Sequence, residues 1–199
     1  MKILVACEYS GRVRDAFHLL GHYVVSCDIL PCESKLVDGK HYEGDVLDIL
    51  YDNWDMMIAF PPCTYLSSSG LHWNKRVPER AAKTEQAIAF VSKLLTAPIE
   101  KIALENPIGC ISSRIRKPNQ IIQPWQFGED ASKSTCLWLK NLPELQTTRE
   151  IKPRIVDGKK RWGNQTDSGQ NRLGPSEDRA KIRSLTYEGI ANAMAIQWG

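Results

Sequence analysis

The stretch Met56-Met57-Ile58-Ala59-Phe60-Pro61-Pro62-Cys63 decides the reading of this chain, together with its echo Ile102-Ala103-Leu104-Glu105-Asn106-Pro107. Each is a short apolar run of buried-strand type that ends in chemistry. The first ends in a cysteine behind two prolines, the second in a carboxylate beside an amide. In an open α/β sheet, functional groups collect at the carboxyl ends of strands. Cys63 and Glu105 are 42 residues apart, which fits adjacent strands joined by one loop-plus-helix crossover.

Working outward, strands and helices alternate. Ile3–Ala6 reads as a strand, Gly11 as a turn and Val13–Leu20 as a helix ending at Gly21. Tyr23–Cys27 reads as a second strand ending at Asp28. Residues 31–44 read as polar loop, and Asp45–Leu50 as a short helix or turn. Met56–Phe60 is a strand, and residues 64–78 a Ser/Gly-rich loop. Glu79–Leu95 is a helix, with apolar residues mostly spaced by threes and fours. Lys101–Leu104 and Thr135–Leu139 are strands, and Thr186–Gln197 a closing small-residue helix. Residues 157–180, rich in Gly, Asn, Gln, Ser and charge, read as the mobile segment. The alternation predicts an α/β, Rossmann-like, mostly parallel sheet with flanking helices in a single domain over 1–199.

Composition narrows the class. The chain has 199 residues, 42% hydrophobic and 25% charged, ordinary for a soluble globular protein. No apolar stretch approaches a membrane span, and Glu8 and Arg12 break the first apolar run too early for a secretion signal. The six cysteines are scattered without a CxxC pair. They read as reduced cytoplasmic thiols, with no metal site expected. The net charge of +3 is mild, but residues 149–183 carry ten Lys/Arg against five Asp/Glu. Such a segment is either a phosphate-contacting surface or a solvated loop.

Cys63 is either a small hydrophobe in a turn or a nucleophile on a rigid mount. Two prolines fix two φ angles ahead of it, as a mount requires. Glu105 follows an apolar run, so partial burial should raise its pKa and suit it to a general-acid role.

Taken together these motifs resemble the catalytic half of DNA cytosine-C5 methyltransferases. In that family a Pro-Cys motif carries the nucleophile and a Glu-Asn motif the acid, positions held here by Cys63 and Glu105. The resemblance covers residues 1–110 in order and again about 186–199. It implies the class I methyltransferase fold, S-adenosylmethionine as cofactor and DNA as partner. It also implies that residues 62–70 form the loop that closes over a flipped base, with Pro62, Ser67, Ser69 and Asn106 as substrate contacts. Glu8, Gly11 and the turn amides match the donor turn, where the methionine moiety lies. Asp28 matches the ribose acid and Asp45, after Gly44, the adenine contact. Either could equally be a cap or turn residue. Pro61 completes the donor side. Lys133 stands where the family has base-supporting arginines, and offers a catalytic cation or a solvated side chain. Ile190-Ala191-Asn192-Ala193-Met194 resembles the family's last motif, with Asn192 as its polar contact or a small-residue packing helix as the alternative.

About 75 residues separate Cys110 from Thr186, too few for a full target-recognition domain. Reading of DNA then falls to a partner or to the basic segment, where Arg161 and Trp162 are the candidates for substrate contact. Trp125 and Trp138 read as core. A compact, recognition-poor enzyme of this kind would suit a phage or mobile element. Two other readings stay open: C5 modification of another pyrimidine substrate, and a catalytically degenerate DNA-binding or anti-restriction protein. Oligomeric state is not legible.

Overall fold

The computed structural model describes residues 1–36 and 38–199. The chain begins with β1 (Lys2–Ala6), α1 (Arg12–His18), β2 (Tyr23–Asp28), β3 (Lys40–Glu43) and β4 (Met56–Ala59). It continues through α2 (Ser68–Leu71), α3 (Pro78–Leu95), β5 (Lys101–Pro107), α4 (Ile111–Arg114), β6 (Gln120–Ile122) and β7 (Thr135–Lys140). A hairpin, β8 (Arg154–Val156) and β9 (Lys159–Arg161), precedes α5 (Arg179–Ser184) and α6 (Glu188–Trp198).

Seven strands form one sheet in the order β3-β2-β1-β4-β5-β7-β6. β7 alone runs against its neighbours, pairing antiparallel to both β5 and β6. A mixed, mostly parallel seven-stranded sheet with flanking helices is the Rossmann-like α/β architecture expected above. β8 and β9 make a separate two-stranded sheet.

The central strands are apolar throughout because both sheet faces are covered. Along β1 and β4 alternate side chains divide between two cores. Ile3, Val5, Met56 and Ile58 pack with Val13 and Phe17 of α1 and with Ala191 and Met194 of α6. Leu4, Ala6, Met57 and Ala59 pack with Val91 and Leu94 of α3 and with Trp54. Each such Leu, Ile, Val or Met contributes on the order of 1.5–3 kcal/mol by burial.

The structure departs from the sequence reading in several places. Residues 31–44, read as loop, contain the edge strand β3; Val37 lies outside the described residues. The residues of β3, Lys-His-Tyr-Glu, are mostly exposed and show no apolar alternation to betray them. β5 runs three residues beyond Leu104, so Glu105 and Asn106 lie within the strand, opposite Leu137 and Cys136. The loop 64–78 contains α2 and a further helical turn over His72–Lys75. Within 157–180 the chain forms β9, a series of turns and the start of α5.

Candidate active site

β4 and β5 are parallel neighbours, with Ala59 opposite Leu104. The Pro61-Pro62-Cys63 turn therefore leaves the sheet beside Glu105 and Asn106. Buried Asn106 donates its side-chain amide to the Pro61 carbonyl at 2.7 Å. Further on, Ser68 N–H donates to the Ile108 carbonyl at 3.0 Å, and Cys110 N–H to the Leu66 carbonyl at 2.9 Å. Glycine is required at position 109: a Cβ there would lie 1.9 Å from the Leu66 carbonyl oxygen.

α3 holds the same turn from the other side. Arg80 donates to the carbonyls of Thr64 at 2.7 Å and Gly70 at 3.1 Å, and Thr84 Oγ1 donates to the Tyr65 carbonyl at 3.0 Å. The Cys63 carbonyl accepts the N–H groups of Leu66 and Ser67, each at 3.0 Å. Cys63 is thus an exposed residue on a turn fastened from two directions.

The charges around it form one group. Burial of the thiol and the nearby Glu105 carboxylate push the Cys63 pKa up, while Lys133 and Arg183 pull it down. Burial raises the Glu105 pKa, opposed by Lys133 and by a hydrogen bond with Thr135. The two shifts act together, since a proton on Glu105 removes a charge that opposes the Cys63 thiolate. Lys133 Nζ also donates to the Arg183 carbonyl at 3.0 Å, which brings α5 over this corner. Among the residues lining the cavity against Glu105 are Phe60, Lys133, Thr135, Ser184 and Tyr187. Its volume is about 20 Å³, room for about one water and too small for a pyrimidine ring.

A second cavity, of about 510 Å³, lies on the carboxyl edge of the sheet, where the strand order reverses. Its lining includes Asp28, Gly44 and Asp45, the residues Cys7, Cys27, Pro61 and Pro62, and the apolar Ile29, Val46 and Phe90. Asp28 is half-buried at the end of β2; burial raises its pKa, and one carboxylate oxygen accepts the Leu30 N–H at 3.0 Å. Asp45 accepts the Leu47 N–H at 2.9 Å and caps the helical turn that follows. Burial, with Asp28 and Asp45 nearby, pushes the Cys27 thiol up to about 12, so it stays a neutral thiol. A cavity of this size, with apolar walls and two carboxylates at strand ends, fits a nucleoside-bearing group the size of S-adenosylmethionine.

The expected residues divide into three sets. Cys63, Glu105 and Lys133 come together at one corner; Asp28, Asp45, Pro61 and Pro62 line the large cavity. The rest stand apart from both cavities or have other partners. Glu8 is buried, and its carboxylate accepts the Val13 N–H at 2.7 Å, the Arg14 N–H at 3.3 Å and the Ser10 hydroxyl at 3.2 Å. It serves the start of α1, where Gly11 turns the chain with φ 75°. Asn192 is exposed on α6. Ser67 and Ser69 share a hydroxyl contact at 3.2 Å. Asn106 directs its amide nitrogen to Pro61. Arg161 donates to the Asp167 and Lys160 carbonyls, each at 2.9 Å. Trp162 stacks on Trp125 with ring centroids 5.6 Å apart; Trp125 is partly exposed, and of the two tryptophans read as core only Trp138 is buried.

Sequence reasoning missed Lys83, Gln86, Ala87 and Phe90, which line the large cavity from one face of α3. Their spacing of three, one and three was a readable signal of a single helix face. Arg183 had no such signal. Among the described residues no cluster of His, Cys, Asp and Glu could hold a metal ion, and no helix is long and apolar enough to cross a membrane.

No protein-family profile matches this chain, and no curated protein sequence is similar to it. Among solved structures, one similar chain is an E. coli protein described as a DNA modification methyltransferase encoded within a prophage, at 13% identity and a TM-score of 0.42. The match covers 79% of this chain, which spans only 56% of that protein's length.

Proposed function

We propose that this chain transfers a methyl group from S-adenosylmethionine to C5 of cytosine in DNA, through a covalent Cys63 adduct at C6. The observation that carries the reading is the shared corner of Cys63 and Glu105, tied together by Asn106 beside a nucleoside-sized cavity. Asp28 is suited to a ribose diol, Asp45 to an exocyclic amine, and Ile29, Val46 and Phe90 to an apolar ring face. S-adenosylmethionine, when bound, supplies an electrophilic methyl group.

Cytosine C5 is a poor nucleophile. Addition of the Cys63 thiolate to C6, with the Glu105 proton delivered to N3, leaves an enamine whose C5 can take the methyl group. Return of the N3 proton to Glu105 and loss of the C5 proton to solvent water then expel the thiolate and restore the ring. The raised Glu105 pKa keeps a proton available for the first step. Lys133 is suited to supporting the charge on thiolate and base. The 20 Å³ cavity against Glu105 must widen before a flipped base can enter. The reading implies work in the cytoplasm of a bacterial cell or a phage-infected host.

Nucleoside mass spectrometry on DNA from methylation-deficient cells expressing the chain tests this, with Cys63→Ser as control. The expected product is 5-methylcytosine that disappears in the variant. Modification that persists without Cys63 would refute the covalent route.

A further inference from the structure

The hairpin β8–β9 has no role in the corner or the large cavity. Asp157 and Gly158 form its turn with φ of 47° and 72°, both left-handed, as a two-residue type I′ hairpin turn requires. Its two faces differ. On one, Arg154 and Arg161 are directly opposite, a like-charge pair that is costly unless its charges are otherwise satisfied. Both guanidinium groups turn back to the following loop. Arg154 donates to the Trp162 and Gln165 carbonyls at 2.8 Å and pairs with Asp167 at 2.9 Å; Arg161 donates to the Asp167 carbonyl at 2.9 Å.

That loop is fastened to the body by the Trp162–Trp125 stack. Asn164 and Ser132 add reciprocal bonds, Ser132 N–H to Oδ1 and Nδ2 to the Ser132 carbonyl, both at 3.0 Å. Ser132 is the neighbour of Lys133. The hairpin is therefore a stiff projection braced against the segment that carries a corner residue.

Its other face is open. Ile155, 63% exposed, stands opposite Lys160 on this face; the exposed Lys159, opposite Val156, flanks the tip from the arginine face. An exposed isoleucine paired across the ribbon with one lysine, with a second lysine beside the turn on the other face, fits a partner that offers both phosphate and an apolar edge. A two-stranded ribbon fits the width of a DNA major groove, where thymine methyl groups are the apolar edge.

We propose that β8–β9 is the DNA-docking element of this chain, entering the major groove with Lys159 and Lys160 on phosphates and Ile155 against base edges. The proposal rests on the DNA reading above and names the element that carries it. It is tested by fluorescence anisotropy of a labelled DNA duplex titrated with the whole chain over a range of salt. Lys159→Ala/Lys160→Ala should weaken duplex binding about tenfold and lower the salt slope by about two, one for each phosphate contact. Ile155→Ser should weaken binding with the salt slope unchanged. All three positions are exposed, so melting temperature should stay at the wild-type value and serves as the folding control.

Unchanged binding in both variants overturns the hairpin assignment and leaves the methylation reading, scored separately by nucleoside mass spectrometry, standing. Loss in the lysine variant alone overturns groove entry and leaves phosphate docking. A wild-type chain that binds no duplex overturns the hairpin assignment and the DNA reading together.

Discussion

The side-chain amide of Asn106 donates to the carbonyl of Pro61 at 2.7 Å, in a buried setting that joins the two signature motifs across neighbouring strands. The bond sets where Cys63 sits relative to Glu105. Asn106→Ala leaves the Pro61 carbonyl without this donor and opens a small void, at a cost of about 1–3 kcal/mol. Turnover should fall more than donor affinity, because the turn and not the large cavity loses its anchor. Denaturant unfolding with parallel calorimetry of S-adenosylmethionine binding measures both; wild-type stability and turnover would rule out the tether.

Glu105 should set the alkaline limb of activity. Burial raises its folded pKa above the ordinary carboxylate value, so the protonated acid persists to higher pH than in water. As general acid it is competent below that pKa and lost as pH rises through it. Glu105→Gln should cut turnover by about a hundredfold or more while donor affinity holds. Its residual rate should lack this limb. A variant that retains the wild-type alkaline limb would assign the limb to another group.

Glu8 gives a pH effect on stability. Burial raises its pKa from 4.5 to about 7 despite its hydrogen bonds to Val13, Arg14 and Ser10. The fold therefore favours the protonated acid. Its stabilising contribution is full below about 4.5 and fades as pH rises through about 7. Glu8→Gln mimics the neutral acid, so the melting temperature of the variant relative to wild type should rise between those pH values. A difference that stays flat or falls over that range contradicts the assignment.

Asp28 should matter for the donor and not for the fold. It is half-buried at the rim of the 510 Å³ cavity, and its carboxylate accepts hydrogen bonds from the neighbouring main-chain N–H groups of Leu30 and Ile29. Asp28→Ala should weaken S-adenosylmethionine binding by about tenfold or more, the scale of a hydrogen bond to a charged group. Melting temperature should change little. Unaltered calorimetric affinity would remove Asp28 from the proposed donor site.

The corner was legible because its two motifs follow apolar runs, and a run long enough to be a buried strand fixes which residues emerge at its end. Cys63 and Glu105 could therefore be paired on paper. Asn106 was legible as a neighbour but not as a tether, since its partner is a main-chain carbonyl 45 residues away. Trp162 looked free for base stacking; only the fold reveals that Trp125 occupies one face of its ring.

The amino-acid order alone determined the alternation of strands and helices, the positions of the apolar runs and the chemistry at their ends, because these depend on spacing and residue type along a few neighbouring residues. Tertiary structure decided the rest. It reversed β7, exposed β3 at the sheet edge, turned Lys83, Gln86 and Phe90 of α3 to the cavity, and brought Arg183 to Cys63. Strand direction, cavity walls and electrostatic neighbours are set by contacts between residues far apart in the chain, which no local pattern encodes.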